Sequence, residues 1–201
     1  MDDKLANVAP EGLEHVKPSD IVLPRVKLVQ PVSQGDVGKP GEFVNDVTQE
    51  AFGERRIHFV RYYPGRMMWG EEADVPLCVS RDGDLPDPSI AEPPSETCGD
   101  CKCSQWIDNK KPECSQTYGF SLIDLDTMMP CAIQLSRSSS YAARRVLTYA
   151  FLNQVPLKKL SCKMSSKEMK QGRGVYYVVD FSEFKVEQCD RADQIATMGE
   201  L

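Results

Sequence analysis

Histidine and tryptophan are both scarce in this sequence, with two residues of each among 201. His15 lies near the start of the chain, and His58 lies in a strand-like run, where we expect it to have no special role. The sequence also lacks a serine nucleophile elbow, a zinc-protease motif, a phosphate-binding P-loop and a dinucleotide-binding glycine motif. Because the usual catalytic signatures are absent, the sequence predicts a binding protein and not an enzyme.

Long apolar runs are also absent, which argues against a membrane-spanning helix, since such a helix needs about 18 consecutive apolar residues. The N-terminal stretch MDDKLANVAP has neither the basic start nor the apolar centre of a signal peptide. These features predict a cytoplasmic protein. Disulfides are disfavoured in that reducing compartment, so clustered cysteines there indicate metal binding.

Acidic residues outnumber basic ones, and the formal net charge of −6 would argue against a nucleic-acid partner. The charges are unevenly distributed, however. Residues 141–176 contain eight Lys or Arg and one acid, and residues 53–68 contain four Arg and one acid, whereas residues 1–50 and 177–201 are acidic. This segregation predicts an anion-binding face on an otherwise acidic protein.

Turn residues and changes of composition divide the chain into segments. Residues 1–20 are expected to form a flexible arm, residues 21–186 a nucleic-acid-binding domain, and residues 187–201 a mildly acidic tail. Within the domain, residues 76–116 combine a proline-rich acidic loop with a cysteine-rich stretch that has few large apolar groups. Burial alone cannot order such a segment, so we expect an insertion ordered by a metal ion, which can contribute ~10 kcal/mol or more.

Strand patterns dominate the domain, and residues 136–154 contain the one convincing helix, with serines at its start and a proline beyond its end. In the run RIHFVRYY, strict alternation would place four residues on one face: Ile57, Phe59, Arg61 and Tyr63. Five or six strands, with one helix between the third and fourth, predict a mainly β fold, a small closed barrel of the oligonucleotide-binding (OB) type. Periodicity alone does not exclude a small sandwich.

Cysteine is the most strongly clustered residue, because four of the eight cysteines lie in the stretch TCGDCKCSQWIDNKKPEC. Cys98 and Cys101 have the C-x-x-C spacing with which a tight turn presents two thiolates to one tetrahedral ion, and the chain can loop back to bring Cys114 to them. The fourth ligand is Cys78 or Cys103. We favour Cys78, because a side chain two residues from Cys101 tends to point away. Four thiolates would hold a structural zinc ion with no open position.

Two other roles for the clustered cysteines stay open. Cys98 and Cys101 could form a redox pair, although a thioredoxin-like site needs a βαβ setting that the sequence lacks. Unligated thiols are the other alternative. The cysteines outside the cluster lie in apolar or strand-like segments and are expected to be ordinary packing residues: Cys131, Cys162 and Cys189.

Basic residues interleave with aromatic residues in two segments of the chain. Proteins hold single-stranded nucleic acids with cations along the backbone and with rings on which the bases stack. The serine-rich helix start adds hydroxyls and a cation that suit a phosphate. We therefore expect single-stranded DNA, or RNA, as the partner. The candidate binding residues are Arg55, Arg56, Arg61, Tyr63, Arg66, Trp69, Trp106, Arg137, Arg144, Arg145, Lys158, Lys159, Lys163, Arg173 and Tyr176.

Five parts of the chain carry a family resemblance: IVLPRVKLVQPVSQ, GEFVNDVTQE, PLCVSRDG, CGDCKCSQW with KPEC, and LSRSSSYAAR. They resemble the phage-type single-stranded DNA-binding proteins, especially those with a zinc-bearing insertion in an OB barrel, and the resemblance covers most of residues 20–185. It implies that the barrel cleft grips single strands during replication or recombination. It also implies that the C-terminal tail recruits replication proteins and that, if a phage encodes the protein, it acts in the host cytoplasm. The zinc ligands it implies are Cys78, Cys98, Cys101 and Cys114.

Two alternatives come from other functional classes. A zinc-ribbon adaptor would dock on a polymerase or on a replication or transcription complex through the acidic loop at residues 81–97. Such binding would survive charge reversal in the basic segments. An enzyme that borrows its metal or catalytic base from a partner is the second alternative, and only an activity measured with added cofactors would support it.

Overall fold

The computed structural model of the chain describes residues 11–17, 20–33, 37–70, 75–172 and 174–192. Most of the predicted arm (residues 1–20) and most of the predicted tail (residues 187–201) therefore lie outside the described residues. The elements within the described residues are β1 (Arg25–Leu28), β2 (Phe43–Asn45), β3 (Ala51–Phe52), β4 (Arg55–Trp69), β5 (Pro76–Ser80), β6 (Cys114–Asp124), β7 (Pro130–Ser136), α1 (Ser140–Leu152), β8 (Leu160–Gln171) and β9 (Gly174–Val186).

The described residues form a mainly β fold that includes the predicted helix α1, but they contain nine strands instead of five or six. The additional strands are short: β1, β2, β3 and β5 have four, three, two and five residues. All nine belong to one sheet with the order β3-β2-β1-β7-β6-β4-β8-β9, and β5 pairs with β4. The sheet curls into a half-barrel. Neighbouring strands pair antiparallel except β1 and β7, which are parallel.

A β-bulge in β4 changes which side chains face the core. The register with β6 shifts between Phe59, which pairs with Leu122, and Arg61, which pairs with Ser121. Phe59 is fully buried, whereas Tyr63 is exposed. The expectation that Ile57, Phe59, Arg61 and Tyr63 share one face is therefore wrong, because the extra residue of a bulge reverses the alternation. The second half of β4 consequently turns Arg61 and Tyr63 to the outside.

The core lies inside the curled sheet and beneath α1. Phe59 contacts Phe120 and Phe181 edge to face, with ring centroids 5.3 and 5.5 Å apart. Ala142 and Val146 of α1 are buried in the same core. Edge-to-face aromatic pairs contribute about 0.5–1.5 kcal/mol beyond the area they bury. The apolar faces of strands distant in sequence thus converge on one centre.

Helix α1 begins among the predicted serines and ends before Pro156, as expected. Ser139 occupies the N-cap position, yet its side chain makes no capping bond to the helix. Its Oγ instead accepts a hydrogen bond from Val179 N at 3.2 Å, so the serine attaches the helix start to β9. No helix in the described ranges is long and apolar enough to cross a membrane.

The first residues of the predicted tail pack against the outside of the sheet. Cys189 and Ala192 are buried in a small cluster with Val60 of β4 and Ile123 of β6. This contact covers the outward side of the β4 bulge. The role of the tail in recruiting replication proteins stays a prediction.

Candidate nucleic-acid interface and thiol cluster

An open cleft of about 970 Å³ lies on the outer side of β1, β7, β6 and β4 and extends to β9. Its charged lining residues are all basic: Arg25, Lys27, Arg81 and Arg137. No described carboxylate lines the cleft. Because like charges focus the potential inside a concave surface, this lining favours an anionic ligand.

The floor of the cleft carries an aromatic ring that lies along the sheet. Tyr63 pairs with Gly119 across β4 and β6. A Cβ atom added to Gly119 would lie 3.4 Å from the Tyr63 Cβ and 3.9 Å from its Cδ2, so the tyrosine side chain leans over the glycine. The Tyr63 hydroxyl lies 3.4 Å from Ser121 Oγ, two residues further along β6. The ring therefore runs along the sheet surface, and the Tyr63 residue is 38% exposed.

The opposite wall is the β8–β9 hairpin, which supplies Tyr176 and Tyr177. The amide of Gln30 holds this wall, because it donates to Tyr177 O and accepts from Tyr177 N, both at 3.0 Å. Gly41 has a φ of +92°, and a Cβ there would lie 2.6 Å from Cε1 of Tyr177. Only glycine fits this close approach without strain. The loop between β1 and β2 thus fixes the hairpin beside the cleft.

Three of the predicted nucleic-acid-binding residues line the cleft, and a fourth lies on the same face of the sheet outside its lining. Tyr63, Arg137 and Tyr176 line it. Arg61 lies on the same outer face of the sheet, since it pairs with Ser121 next to Tyr63. Arg137 begins the turn before α1 with a φ of +49°, an unusual conformation for a residue with a side chain.

Four other predicted cations are engaged in ion pairs with nearby carboxylates. Arg55 contacts Asp124 at 2.5 Å and also Glu50, and only 13% of its side chain is exposed. The other pairs are Arg56 with Glu183 at 3.8 Å, Arg145 with Asp180 at 2.8 Å, and Lys163 with Glu54 at 2.9 Å. A cation already paired inside the protein gains less from a phosphate, so these four contribute less to an anion site.

The remaining predicted binding residues lie away from the cleft. Arg66 donates from Nε to Gly83 O at 3.2 Å and so supports the insertion. Arg173 lies outside the described residues. The others are exposed on the surface but do not line the cleft: Trp69, Trp106, Arg144, Lys158 and Lys159.

Sequence reasoning missed three of the four cleft cations. Arg25 and Lys27 are exposed on β1, and Arg81 follows β5. The signal for the first two was present, because the alternation in RVKL places both cations on one face of a strand. Arg81 had no comparable signal. Arg81 forms a salt bridge with Asp87 at 2.5 Å. The other three cleft cations, Arg25, Lys27 and Arg137, form no salt bridge with another described residue.

The cysteines of the insertion converge on one side of β4. Cys78 of β5 and Cys114 of β6 both pair with Met68, which lies between them, and all three side chains are buried together. Cys98 is also buried. Its N–H donates to Asp84 O at 2.8 Å, which ties the cysteine turn to the loop after β5. Cys98 and Cys101 both lie close enough to Cys78 to influence its ionisation, so the four predicted ligands lie in one region of the insertion.

Cys103 also belongs to this cluster. It packs against the buried set of Met68, Cys78 and Cys114. The two-residue spacing from Cys101 had predicted that its side chain points away from them. The physical reason is the 3₁₀ turn Lys102–Ser104, which follows Cys101 and curls the chain back. The Ser104 hydroxyl reinforces this turn, since it lies 2.8–2.9 Å from the carbonyl oxygens of Cys98 and Cys101.

The thiols lie close enough to affect one another's ionisation. Burial raises the pKa of Cys78, and the neighbouring Cys98 and Cys101 raise it further. Burial also raises the pKa of Cys114, while Arg66 partly lowers it. Burial and Cys101 raise the pKa of Cys103. Without a cation among them, these thiols are therefore held in the protonated form.

The donor chemistry of the cluster fits zinc, because buried thiols in a segment with few apolar groups are the usual setting of a structural zinc site. In the described part of the chain, no group of three or more His, Cys, Asp or Glu side chains is arranged to hold a metal ion. The residues that would hold one are among the five cysteines of the insertion that lie near one another, which we call the thiol cluster: Cys78, Cys98, Cys101, Cys103 and Cys114.

The residues predicted to have no special role are buried in or beside the core. Cys131 and Cys162 lie within the main core. His58 is fully buried, and its Nε2 lies 2.8 Å from Lys158 O. Burial raises the pKa of Cys131 to about 12, so this thiol is unreactive in the folded protein.

Comparison of the chain with protein-family models, with curated proteins and with solved structures found no match.

Proposed function

We propose that the protein binds single-stranded DNA in the cleft, without catalysing a reaction, and coats it during phage-type replication and recombination. The observation that carries this proposal is the lining of the cleft, which combines four cations and three tyrosines with no described carboxylate. Single-stranded nucleic acid needs both a positively charged groove for its backbone and rings for its bases.

The connectivity of the sheet supports an OB assignment. The five strands β4, β6, β7, β8 and β9 follow one another, apart from the short β5, and α1 lies between the third and fourth of them. Strand β4 pairs with both β6 and β8, β6 pairs with β7, and β8 pairs with β9. In an OB fold, oligonucleotides bind on the face of the second and third strands, between the 1–2 and 4–5 loops. The cleft occupies that place, with Arg81 in the first loop and Tyr176 beside the second.

The residues of the cleft have separate roles in this proposal. Arg25, Lys27 and Arg137 contact the phosphates, and Tyr63 stacks with a base through its exposed ring. Both kinds of contact are independent of base identity, so the binding is largely sequence-independent.

We further propose that the insertion at residues 76–116 binds a structural zinc ion through Cys78, Cys98, Cys101 and Cys114. Zinc would supply the folding free energy that the few apolar groups of the insertion cannot. The thiol cluster supports this proposal, since it joins β5, β6 and the cysteine turn. Elemental analysis of the purified protein tests it, and a chain purified without metal in its reduced form would contradict it.

A fluorescence titration with oligo-dT at several salt concentrations tests the DNA proposal. Three cleft cations without ion pairs predict that log K falls with log salt with a slope of about −2, since each single-strand phosphate contact contributes about 0.7. Arg25→Glu/Lys27→Glu is expected to weaken binding and to reduce the slope to about −0.7 or less. Titration with oligo-rU in parallel separates DNA from RNA preference.

Lys185→Glu is the matched control for these charge reversals. Lys185 is exposed on β9, forms no ion pair with another described residue and does not line the cleft. The variant Arg144→Glu/Lys159→Glu tests the basic segment that the sequence favoured. Failure of the wild-type protein to bind oligo-dT at low salt would remove the proposal. Binding that survives every charge reversal would favour the adaptor alternative.

A further inference from the structure

The described lining of the cleft contains two side-chain amides, Gln30 and Gln134, and they differ in what they bind. Gln30 donates to and accepts from the backbone of Tyr177. Gln134 is exposed on β7, and its amide forms no hydrogen bond with another group in the described part of the chain. An uncharged amide gains little from a phosphate, for which the cleft already supplies cations. Gln134 is therefore suited to another part of a nucleotide.

The register of the sheet places Gln134 between a cation and an aromatic residue. Gly119 of β6 pairs with Tyr63 of β4 on one side and with Gln134 on the other. Strands β1 and β7 run parallel, and continuing their register by one residue places Lys27 beside Gln134. Side chains of paired residues lie on the same face of a sheet, and all four residues line the cleft. A row of cation, amide, glycine and aromatic ring thus crosses the floor of the cleft.

The spacing within this row lets one nucleotide contact all of it. Neighbouring strands lie about 4.8 Å apart, so Lys27 and Tyr63 are separated by about 14 Å, and Gln134 and Tyr63 by about 10 Å. Tyr63 leans over Gly119, towards β7. Because Gly119 has no side chain, nothing on β6 separates the amide from the ring. A nucleotide whose phosphate binds Lys27 and whose base stacks on Tyr63 therefore carries an edge of that base past Gln134.

The chemistry of an amide favours one base. The Gln134 amide offers an acceptor and a donor side by side, so it binds bidentately to an edge that presents a donor next to an acceptor. Adenine presents this combination on two edges, N6–H with N7 and N6–H with N1, and the other bases present it only on the edge used for base pairing. Guanine has two acceptors on its other edge, and thymine has an oxygen and a methyl group there. Adenine consequently fits the amide in more orientations than any other base.

We propose that Gln134 contacts the edge of the base that stacks on Tyr63 and gives the cleft a preference for adenine. This inference rests on the proposed binding of single-stranded DNA and deepens it. The preference is moderate, because phosphate contacts and stacking are available to every nucleotide and supply most of the affinity.

Anisotropy titrations with labelled oligo-dA, oligo-dC and oligo-dT of equal length test the proposal in wild type and in Gln134→Met. Methionine has a similar length but no amide, and the site is exposed on the sheet, so the fold should tolerate the change. The ratio of the Kd for oligo-dT to the Kd for oligo-dA is expected to fall about 5-fold or more in the variant, the low end of what one bidentate amide–base contact contributes. Self-stacking of free oligo-dA cancels in this comparison, because both proteins bind the same oligonucleotides.

An oligonucleotide of deoxypurine riboside, which is adenine without its N6 amino group, provides a second readout. Replacing oligo-dA by it should weaken binding to wild type but not to Gln134→Met, because only wild type has an amide to accept from N6. Gln188→Met is the matched control, since this glutamine is exposed after β9 and does not line the cleft. It should leave all affinities unchanged.

A dT-to-dA ratio that does not fall in Gln134→Met would overturn the proposal. An equal loss of affinity for oligo-dA and for another of the three oligonucleotides would also overturn it, because the contact would then not distinguish adenine. Both outcomes leave the DNA proposal intact. A wild-type protein that binds none of the oligonucleotides at low salt would remove both proposals.

Discussion

Replacement of Tyr63 by alanine removes the aromatic floor of the cleft. The side chain leans over Gly119, its hydroxyl reaches towards Ser121, and the partly exposed residue lines the cleft. A base that stacks on the exposed part of this ring would lose its contact in the variant. The fold itself should tolerate the change, because Tyr63 is 38% exposed and lies on the outside of the sheet.

The expected size of the effect follows from a single base stack. Stacking of one base on an aromatic side chain contributes about 1–3 kcal/mol, so the Kd of Tyr63→Ala for oligo-dT should rise by about 5- to 150-fold. The salt dependence should not change, because the substitution removes no cation. A weaker affinity at an unchanged salt slope therefore identifies the loss of stacking and distinguishes it from a loss of charge.

Fluorescence anisotropy of labelled oligo-dT at several salt concentrations provides both quantities. Tyr63→Phe keeps the ring and should bind like wild type, while Tyr141→Ala removes an equally aromatic residue that is 70% exposed on α1 and does not line the cleft. Binding of Tyr63→Ala as tight as that of wild type would refute base stacking on this ring. An equal loss of affinity in Tyr141→Ala would also refute it.

Three further predictions concern other contacts. Asp87→Asn should strengthen oligo-dT binding and steepen the salt slope by about 0.7, because it releases Arg81 from its ion pair into the cleft; an unchanged slope would contradict this. Asp180→Asn should lower the free energy of unfolding in urea by about 1–2 kcal/mol, because this largely buried carboxylate holds a cation of α1 and one of β8; an unchanged midpoint would refute it. Cys131 should resist N-ethylmaleimide at pH 8 until the protein unfolds, as judged by mass spectrometry, because its pKa is raised to about 12; labelling of the native protein would refute it. Its raised pKa stabilises the fold fully below pH 9, the ordinary thiol pKa, and this contribution is lost as the pH rises from 9 towards 12.

The mainly β fold and the position of its helix could be predicted because they depend on local patterns. The serines before α1 and Pro156 after it bracket the helix in the sequence, and the observed bounds, Ser140–Leu152, fall between them. The bulge in β4 could not be predicted, since nothing in RIHFVRYY breaks the alternation. Only the pairing with β6 requires the extra residue, and that bulge decides that Tyr63 faces outwards.

The composition of the thiol cluster was partly predictable for the same reason. The spacing of Cys98 and Cys101 indicates a shared site, because it depends on one tight turn. The orientation of Cys103 depends on a 3₁₀ turn and on its contact with β5 and β6, which the spacing does not contain. The spacing of the cysteines therefore identified the region of the cluster. The packing of distant strands decided which cysteines belong to it.

The sequence by itself determined the number of charges, the strand-rich architecture and the clustering of cysteines. Only the tertiary structure decided which charges are available to a ligand, because an ion pair forms between residues that the fold brings together. Arg55 lies 69 residues from Asp124, and Arg145 lies 35 residues from Asp180. A charge count over a short segment therefore includes these cations but not the carboxylates that pair with them. Conversely, Arg25 and Lys27 come from an acidic part of the chain, and the parallel pairing of β1 with β7 places them in the cleft.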